Sequence, residues 1–286
     1  MEDFDDICRH YLRPMEPIST GVRAVLSKME DCGAILFDIY GTLLASGAGE
    51  IGLVQAQPTG MDRLPELLKR HEIELAPRKL QSVLGRGIEA EHRSQRVKGI
   101  DFPEVDIVRI WQEILGIRDL TAVKAFALAY ELITNPVFPM PGARTLVRLF
   151  KEQGMPMGII SNAQFYTPIV LKWFFGKELY ESAFDSRLRF YSWREGCAKP
   201  SATLFKRAKK ALESLGIPSE SVLYVGNDMR NDIRPAAEAG FRTALFAGDR
   251  RSLRLRSEDE PCRGISPDWT VTHLNQLSAA AGKSNS

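Results

Sequence analysis

The sequence predicts an α/β fold: a Rossmann-like three-layer core with a parallel sheet, plus an inserted all-helical cap domain. Three observations predict it. From Pro141 onward, short continuous apolar runs alternate with amphipathic helical periods. One further run, Ala34-Ile35-Leu36-Phe37, stands apart near the N-terminus. Between the two lies a long stretch with helical periodicity and no convincing strand.

Residues 1–31 are polar, carry Pro14 and Pro17, and hold a short helix-like run from Val22 to Met29. They read as an N-terminal extension lying on the core. The run Ala34–Phe37 suits a parallel strand buried on both faces, and it ends at Asp38. Residues 32–50 and 137–278 form the core, and residues 51–136 the cap. In the cap, Leu64, Leu67 and Leu68 recur at helical spacing. So do Ile107, Val108, Trp111, Ile114 and Leu115, and then Val123, Phe126, Ala127 and Tyr130. Gly47-Ala48-Gly49 suggests a hinge between core and cap.

Downstream, helix Ala143–Glu152 stops at Gly154, and strand Met157–Ile160 ends at Ser161-Asn162. Lys199-Pro200-Ser201 opens a helix that Gly216 stops. Strand Val222–Val225 ends at Gly226-Asn227-Asp228. A helix through Ala236 and Ala237 to Gly240 and strand Thr243–Phe246 follow. The stretch Asp249–Asp268, basic then acidic, reads as a solvated loop, and residues 279–286 as a flexible tail.

The formal net charge of +2 demands no nucleic-acid or anionic-membrane partner. The four cysteines, Cys8, Cys32, Cys197 and Cys262, lack metal-ligand spacing and read as free thiols of a reducing compartment. No apolar stretch approaches the ~20 residues that span a bilayer. The acidic N-terminus lacks a signal pattern. These features predict a cytoplasmic protein with no nucleic-acid and no membrane partner; a monomer and a homodimer are both compatible with them.

In open α/β sheets, ligands bind beyond the carboxyl ends of the strands. Strand ends here supply Asp38, Ser161-Asn162 and Gly226-Asn227-Asp228, and a helix start supplies Lys199. Together they form one constellation at one edge. The stretches Asp38-Ile39-Tyr40-Gly41-Thr42-Leu43, Ser161-Asn162, Lys199-Pro200 and Gly226 to Asp232 resemble the haloacid dehalogenase-like superfamily. The resemblance runs from about Ala34 to Leu277, and this family places a helical cap between the first two motifs.

The resemblance implies that Asp38 is a covalent nucleophile. Thr42 would steady its loop, and Ser161 would donate to the transferred group with Asn162 beside it. Lys199 would be a fixed positive charge. Mg²⁺ would be held by Asp38, the backbone carbonyl of Tyr40 and the last motif. There the sequence departs from the family, since the residue after the glycine is Asn227 where Asp is usual. Ligation by Asp228, or by Asn227 with a carboxylate bound through water, both stay open. Asp232 is a further candidate ligand, with capping the next helix or pairing with Lys199 as alternatives.

A second departure is Tyr40, where the superfamily's phosphatases carry a second Asp that protonates the leaving group. A tyrosine, with an unperturbed pKa of about 10, does not serve as a base near neutral pH without a large shift. Its expected role is an aromatic packed against the cap. Asp-x-Tyr-Gly-Thr also resembles the L-2-haloacid dehalogenases, whose halide leaving group needs no proton. Those enzymes use no metal, and the loop after their first motif supplies a substrate-binding arginine. The stretch Leu44–Glu50 has none. Asp228 and Asp232 near Asp38 would repel it unless a cation or Lys199 compensates, which favours a bound metal.

The expected function is therefore a Mg²⁺-dependent phosphatase of a small organic phosphate, acting through an aspartyl-phosphate on Asp38. The alternatives are a metal-independent 2-haloacid dehalogenase-type hydrolase and a catalytically decayed binding or regulatory module. In the cap, Glu89, His92, Arg93 and Arg96 share a helical face. They either contact the distal part of a substrate or form a solvated charged face. His10, His71 and His273 form no zinc or triad constellation.

Overall fold

A computed structural model of the chain describes residues 3–27, 32–48 and 60–280. In chain order the elements are α1 (Phe4–Tyr11), β1 (Ala34–Phe37), β2 (Leu44–Ser46), α2 (Leu64–Arg70), α3 (Pro77–Val97), α4 (Ile107–Leu115) and α5 (Leu120–Thr134). Then come β3 (Val137–Pro139), α6 (Ala143–Glu152), β4 (Met157–Ser161), α7 (Thr167–Phe175), α8 (Lys177–Ala183), β5 (Phe184–Tyr191) and α9 (Ser192–Glu195). The chain continues through α10 (Ala202–Ser214), β6 (Val222–Gly226), α11 (Arg234–Glu238), β7 (Arg242–Phe246) and β8 (Trp269–Val271).

Six strands form one parallel sheet in the order β5-β4-β1-β6-β7-β8. Every residue of β1, β4 and β6 is buried. Their side chains alternate between two apolar layers, as the strand period of two requires. Ile35 and Phe37 join Leu146 and Val147 of α6 and Val170 of α7. Ala34 and Leu36 join Leu204, Phe205 and Ala208 of α10. Helices therefore cover both faces, which is why these strands carry no polar alternation. Phe37 pairs with Ile159 on one side and Val225 on the other. That register brings Asp38, one residue on, to the level of the carboxyl ends of β4 and β6.

Between β2 and β3 the described residues form α2 to α5 and no strand, the all-helical cap. Helix α5 is its centre and buries Val123, Phe126, Ala127 and Tyr130 among others. Asp119 starts it by accepting from the Thr121 amide at 2.8 Å. Asp106 caps α4 in the same way, and Gly116, at φ 66°, ends it. Trp111 of α4 meets Phe126 and Tyr130 edge-on at 5.0 and 4.8 Å. Helix α1 lies against both α5 and α7.

Three expectations need correction. Val22–Ser27 is not helical: Val25 exchanges two backbone hydrogen bonds with Thr270, both 2.8 Å, so pairing with the sheet edge overrides local preference. Met29 lies outside the described residues. Ahead of the expected hinge, Leu44–Ser46 pairs antiparallel with Val137–Pro139 and joins the two chain crossings in a ribbon. Gly49, Glu50 and residues 51–59 lie outside the described residues. The loop after Asp249 is not simply solvated: Asp249 and Ser252 are buried. At the C-terminus, Leu274–Ala280 coils onto the core with Ala280 buried, and residues 281–286 lie outside the described residues.

Phe126→Ala should cost about 3–5 kcal/mol, the usual loss for a buried aromatic. Urea denaturation measures it. A loss under about 1 kcal/mol would mean that α4 and α5 do not share a tightly filled core.

Candidate active site

Three strand ends build the site. Asp38 follows β1, and its amide donates to the Val225 carbonyl at 2.8 Å. Ser161 ends β4, and its Oγ donates to Asp38 Oδ1 at 2.7 Å. Lys199, from the loop before α10, donates from Nζ to the same Asp38 Oδ1 at 2.7 Å. It also donates to Asp232 Oδ1 and, at 3.2 Å, to the Tyr224 hydroxyl. Asp38 Oδ2 accepts no hydrogen bond among the described residues. Asp38, Lys199 and Asp232 are 6%, 5% and 1% exposed, so these charges interact in a low-dielectric setting.

Burial alone would lower the Lys199 pKa, but the Asp232 and Asp38 carboxylates together outweigh it and raise it. Asp232 is pushed up to about 6, first by burial, with Lys199 opposing and Asp38 adding. Its oxygens are fully engaged. Oδ1 takes Lys199 and the Tyr224 hydroxyl, and Oδ2 takes the amides of Asn227 and Asp228, both at 3.0 Å.

The other predicted residues take more specific places. Asn162 clamps the Lys199 backbone, accepting its amide at 2.6 Å and donating to its carbonyl at 3.1 Å. Its side chain therefore positions Lys199 rather than a substrate. Thr42 Oγ1 donates to Asn227 Oδ1 at 3.1 Å, and Asn227 Nδ2 donates to the Ser252 carbonyl at 2.7 Å. Gly41, at φ 86°, makes this closeness possible: a Cβ there would stand 2.5 Å from Ser252 Cβ and 2.7 Å from Asn227 Nδ2. Asp228 caps the turn after β6 through the amides of Arg230 and Asn231. It also pairs with Arg256 at 2.7 Å. The Tyr40 hydroxyl is buried and bonded to Thr167 Oγ1 at 2.8 Å. Burial first, then the nearby Glu131, pushes its pKa far above the usual phenol value.

A cavity of about 390 Å³ opens between α3, α5 and the sheet edge, reaching Lys199 and Asn162. His92 and Arg96 line it, and Arg93 does not. Burial, then Arg96, lowers the His92 pKa. Two carboxyls missed in the sequence also line it, Glu104 and Glu131, and burial raises the pKa of both. Glu131 did carry a signal, as an acid on a helix apolar nearly all round. Tyr224 and Arg256 carried none. A tyrosine within an apolar strand run reads as core, and a basic loop residue reads as solvated.

Among the described residues, no group of three His, Cys, Asp or Glu side chains is placed to hold a metal. Asp228 and Asp232, named from the sequence as ligands, are held by Arg256 and Lys199. The Asn227 amide oxygen accepts from Thr42, and the Ser252 hydroxyl is buried with no partner among the described residues.

A family model of haloacid dehalogenase-like hydrolases matches residues 32–240. The chain is 32% identical over 168 residues to pyrimidine 5'-nucleotidase YjjG of Escherichia coli (strain K12), covering 58% of this chain and 66% of that protein, just under two thirds of its length. It is 25% identical over 220 residues to an (S)-2-haloacid dehalogenase of Pseudomonas putida, covering 74% of this chain and 83% of that protein. The solved 2-haloacid dehalogenase of Pseudomonas syringae pv. Tomato DC3000 shares the fold, with a TM-score of 0.53 at 16% identity over 86% of this chain and 96% of that one. With its motifs at adjoining strand ends and a family match over most of its length, the chain belongs to the haloacid dehalogenase-like hydrolases.

Proposed function

We propose that this hydrolase displaces a halide or similar anion from a carbon of a small molecule, through an ester on Asp38 and without a resident metal. One observation carries the reading: Ser161 Oγ and Lys199 Nζ converge at 2.7 Å on a single oxygen of Asp38. Oδ2 is thereby left as the nucleophile. Once it has bonded to the substrate carbon, Oδ1 becomes the ester carbonyl oxygen. Water adding at Cγ then places negative charge on Oδ1, where two donors already stand at oxyanion-hole distance. In a phosphoryl transfer the new charge would develop on the phosphoryl oxygens instead, farther from these donors.

The leaving group must depart unprotonated by the nucleophile loop. Tyr40 holds its proton tightly and spends its hydroxyl on Thr167. A halide fits that requirement. Magnesium prefers anionic oxygen ligands in an octahedral set. The residues here do not fit it, since Lys199 already holds Asp38 and Asp232, and Arg256 holds Asp228. The repulsion that favoured a metal in the sequence is met by Lys199 and Arg256, each paired with a last-motif carboxylate. The helices between β2 and β3 would cover the site and keep bulk water from the ester.

Phosphoester hydrolysis is the second reading, favoured by the likeness to a pyrimidine 5'-nucleotidase. It requires a cation beyond those present. Asp38, Asp228 and Asp232 carry three negative charges against two positive ones on Lys199 and Arg256. A phosphate dianion would meet that net negative charge. A decayed module draws little support from a nucleophile with two buried donors on one oxygen and the other oxygen free.

A single turnover of (S)-2-chloropropionate in ¹⁸O-water should label the Asp38 carboxylate, and chloride release should survive a chelator. Peptide mass analysis reads the label. Label confined to the product, with Mg²⁺-dependent phosphate release from an aryl phosphate, would instead establish the second reading. Asp38→Asn should abolish turnover under either, and an active Asp38→Asn protein would sink both. Lys199→Met should cost about 3–5 kcal/mol of stability, because it strands buried carboxylates without their cation. Denaturant melts test this, and a loss under about 1 kcal/mol would deny Lys199 its structural part.

A further inference from the structure

The two donors to Asp38 Oδ1, Ser161 and Lys199, sit in segments that run on beyond the sheet, residues 161–164 after β4 and 196–201 before α10. The β4–β5 pairing ends at Ser161 and Tyr191. Past that point the backbone needs other partners to stay in place. Many of them come from the cap, from the loop that joins α3 to α4. There Pro103 stands opposite Cys197 between two backbone hydrogen bonds. The Ala198 amide donates to the Phe102 carbonyl at 2.7 Å, and the Glu104 amide donates to the Gly196 carbonyl at 3.2 Å. Ser201 Oγ adds a contact to Asp101 Oδ1 at 3.2 Å. Phe102 holds φ at 43°, the left-handed region that few non-glycine residues adopt. Such a residue persists only where its surroundings hold it, and its carbonyl makes the shortest of these contacts.

The side chain of Glu104 takes up the other segment. Its Oε1 accepts from Gln164 Nε2 and from the Val105 amide, both at 2.9 Å. Gln164 Nε2 also donates to the Val105 carbonyl at 3.3 Å. Glu104 Oε2 accepts from Ser192 Oγ, and that hydroxyl accepts the Ala163 amide at 2.9 Å. Ala163 and Gln164 directly follow Ser161 and Asn162, and Asn162 clamps the Lys199 backbone. One cap residue thus grips the Lys199 segment with its backbone and the Ser161 segment with its carboxylate.

We propose that Glu104 is a positioning residue: seated on the core, it fixes the two segments that aim Ser161 and Lys199 at Asp38 Oδ1. The donor pair is then complete only while the α3–α4 loop is docked. Glu104 acts through Ser192, Gln164 and backbone, and it makes no hydrogen bond to Asp38, Ser161 or Lys199 among the described residues. No bond or proton moves in this role. It is the same for a substrate attacked at carbon or at phosphorus, so it does not rest on the choice between them. Preorganised donors lower a barrier only if their supports are rigid, and the support here is supplied by the cap.

The test is amide hydrogen exchange of the full chain, read peptide by peptide, for wild type, Glu104→Ala and Glu104→Gln. In Glu104→Ala, peptides covering residues 161–164 and 196–201 should both exchange about tenfold faster or more, the factor that a lost hydrogen bond to a charged group supplies. Strand β6 should keep its protection, which shows that the sheet is folded. Glu104→Gln keeps an acceptor for Gln164 and the Val105 amide, so its rates should lie between the two. Wild-type exchange in either segment of Glu104→Ala would overturn the proposal. If Glu104→Ala also loses protection in β6, Glu104→Gln decides: faster exchange in both segments beside an intact β6 supports the proposal, and wild-type exchange overturns it. With (S)-2-chloropropionate, kcat of Glu104→Gln should fall about tenfold while KM stays within about twofold. A raised KM at unchanged kcat would make Glu104 a substrate contact and overturn its positioning role. Wild type that releases no chloride would remove the proposed function, and the exchange rates would then decide on Glu104 alone.

Discussion

The buried ammonium of Lys199, shared between Asp38 and Asp232, holds the carboxyl edge of the sheet together. Removing two carboxylates and a lysine from water costs several kcal/mol per ion, and only close pairing recovers it. The contacts are close, at 2.7 Å to Asp38, with Tyr224 and two backbone amides serving the oxygens of Asp232. The cluster joins β1, the loop before α10 and the turn after β6. Asn162 at the end of β4 fixes the lysine backbone from the remaining side. A cation set in place before the substrate arrives needs no reorganisation when charge moves, which is how preorganised sites lower barriers.

The same economy of charge decides what the site will accept. Arg256 pairs with Asp228, and Lys199 with both Asp232 and Asp38, whose Oδ2 accepts no hydrogen bond among the described residues. Asn227, standing where a charged ligand is usual, spends both ends of its amide on Thr42 and Ser252. On the proposed reading, the last motif serves as a brace for the nucleophile loop.

Much of this was legible in the sequence, because the strong signals are local. Fully apolar runs announced β1, β4, β6 and β7, and the residue ending each of the first three pointed at the site. Helical periods announced α4, α5, α6 and α10. What escaped depends on partners distant in sequence. Val22–Ser27 looks helical until Thr270 offers it a strand edge. Leu44–Ser46 looks like a linker until Val137–Pro139 pairs with it. Trp269–Val271 is too short a run to mark itself as a strand. At the site, spacing suggested that Asp228 and Asp232 act together near Asp38. Which cation each would take depended on Arg256 and on the length of the Lys199 side chain, and neither is a matter of pattern.

The seam between cap and core follows the same logic. One apolar cluster runs through both, from Phe126 and Trp111 in the cap to Phe37 and Val225 in the sheet. The β2–β3 ribbon ties the two crossings at its base. Any opening that parts α5 from β2 must break the Ser46–Asn135 hydrogen bond, and Asn135, with Tyr166, is one of two donors to Glu131 among the described residues. Closure of the cap would therefore do two things through one side chain. It would exclude bulk water and fix the cap carboxyl against the nucleophile loop.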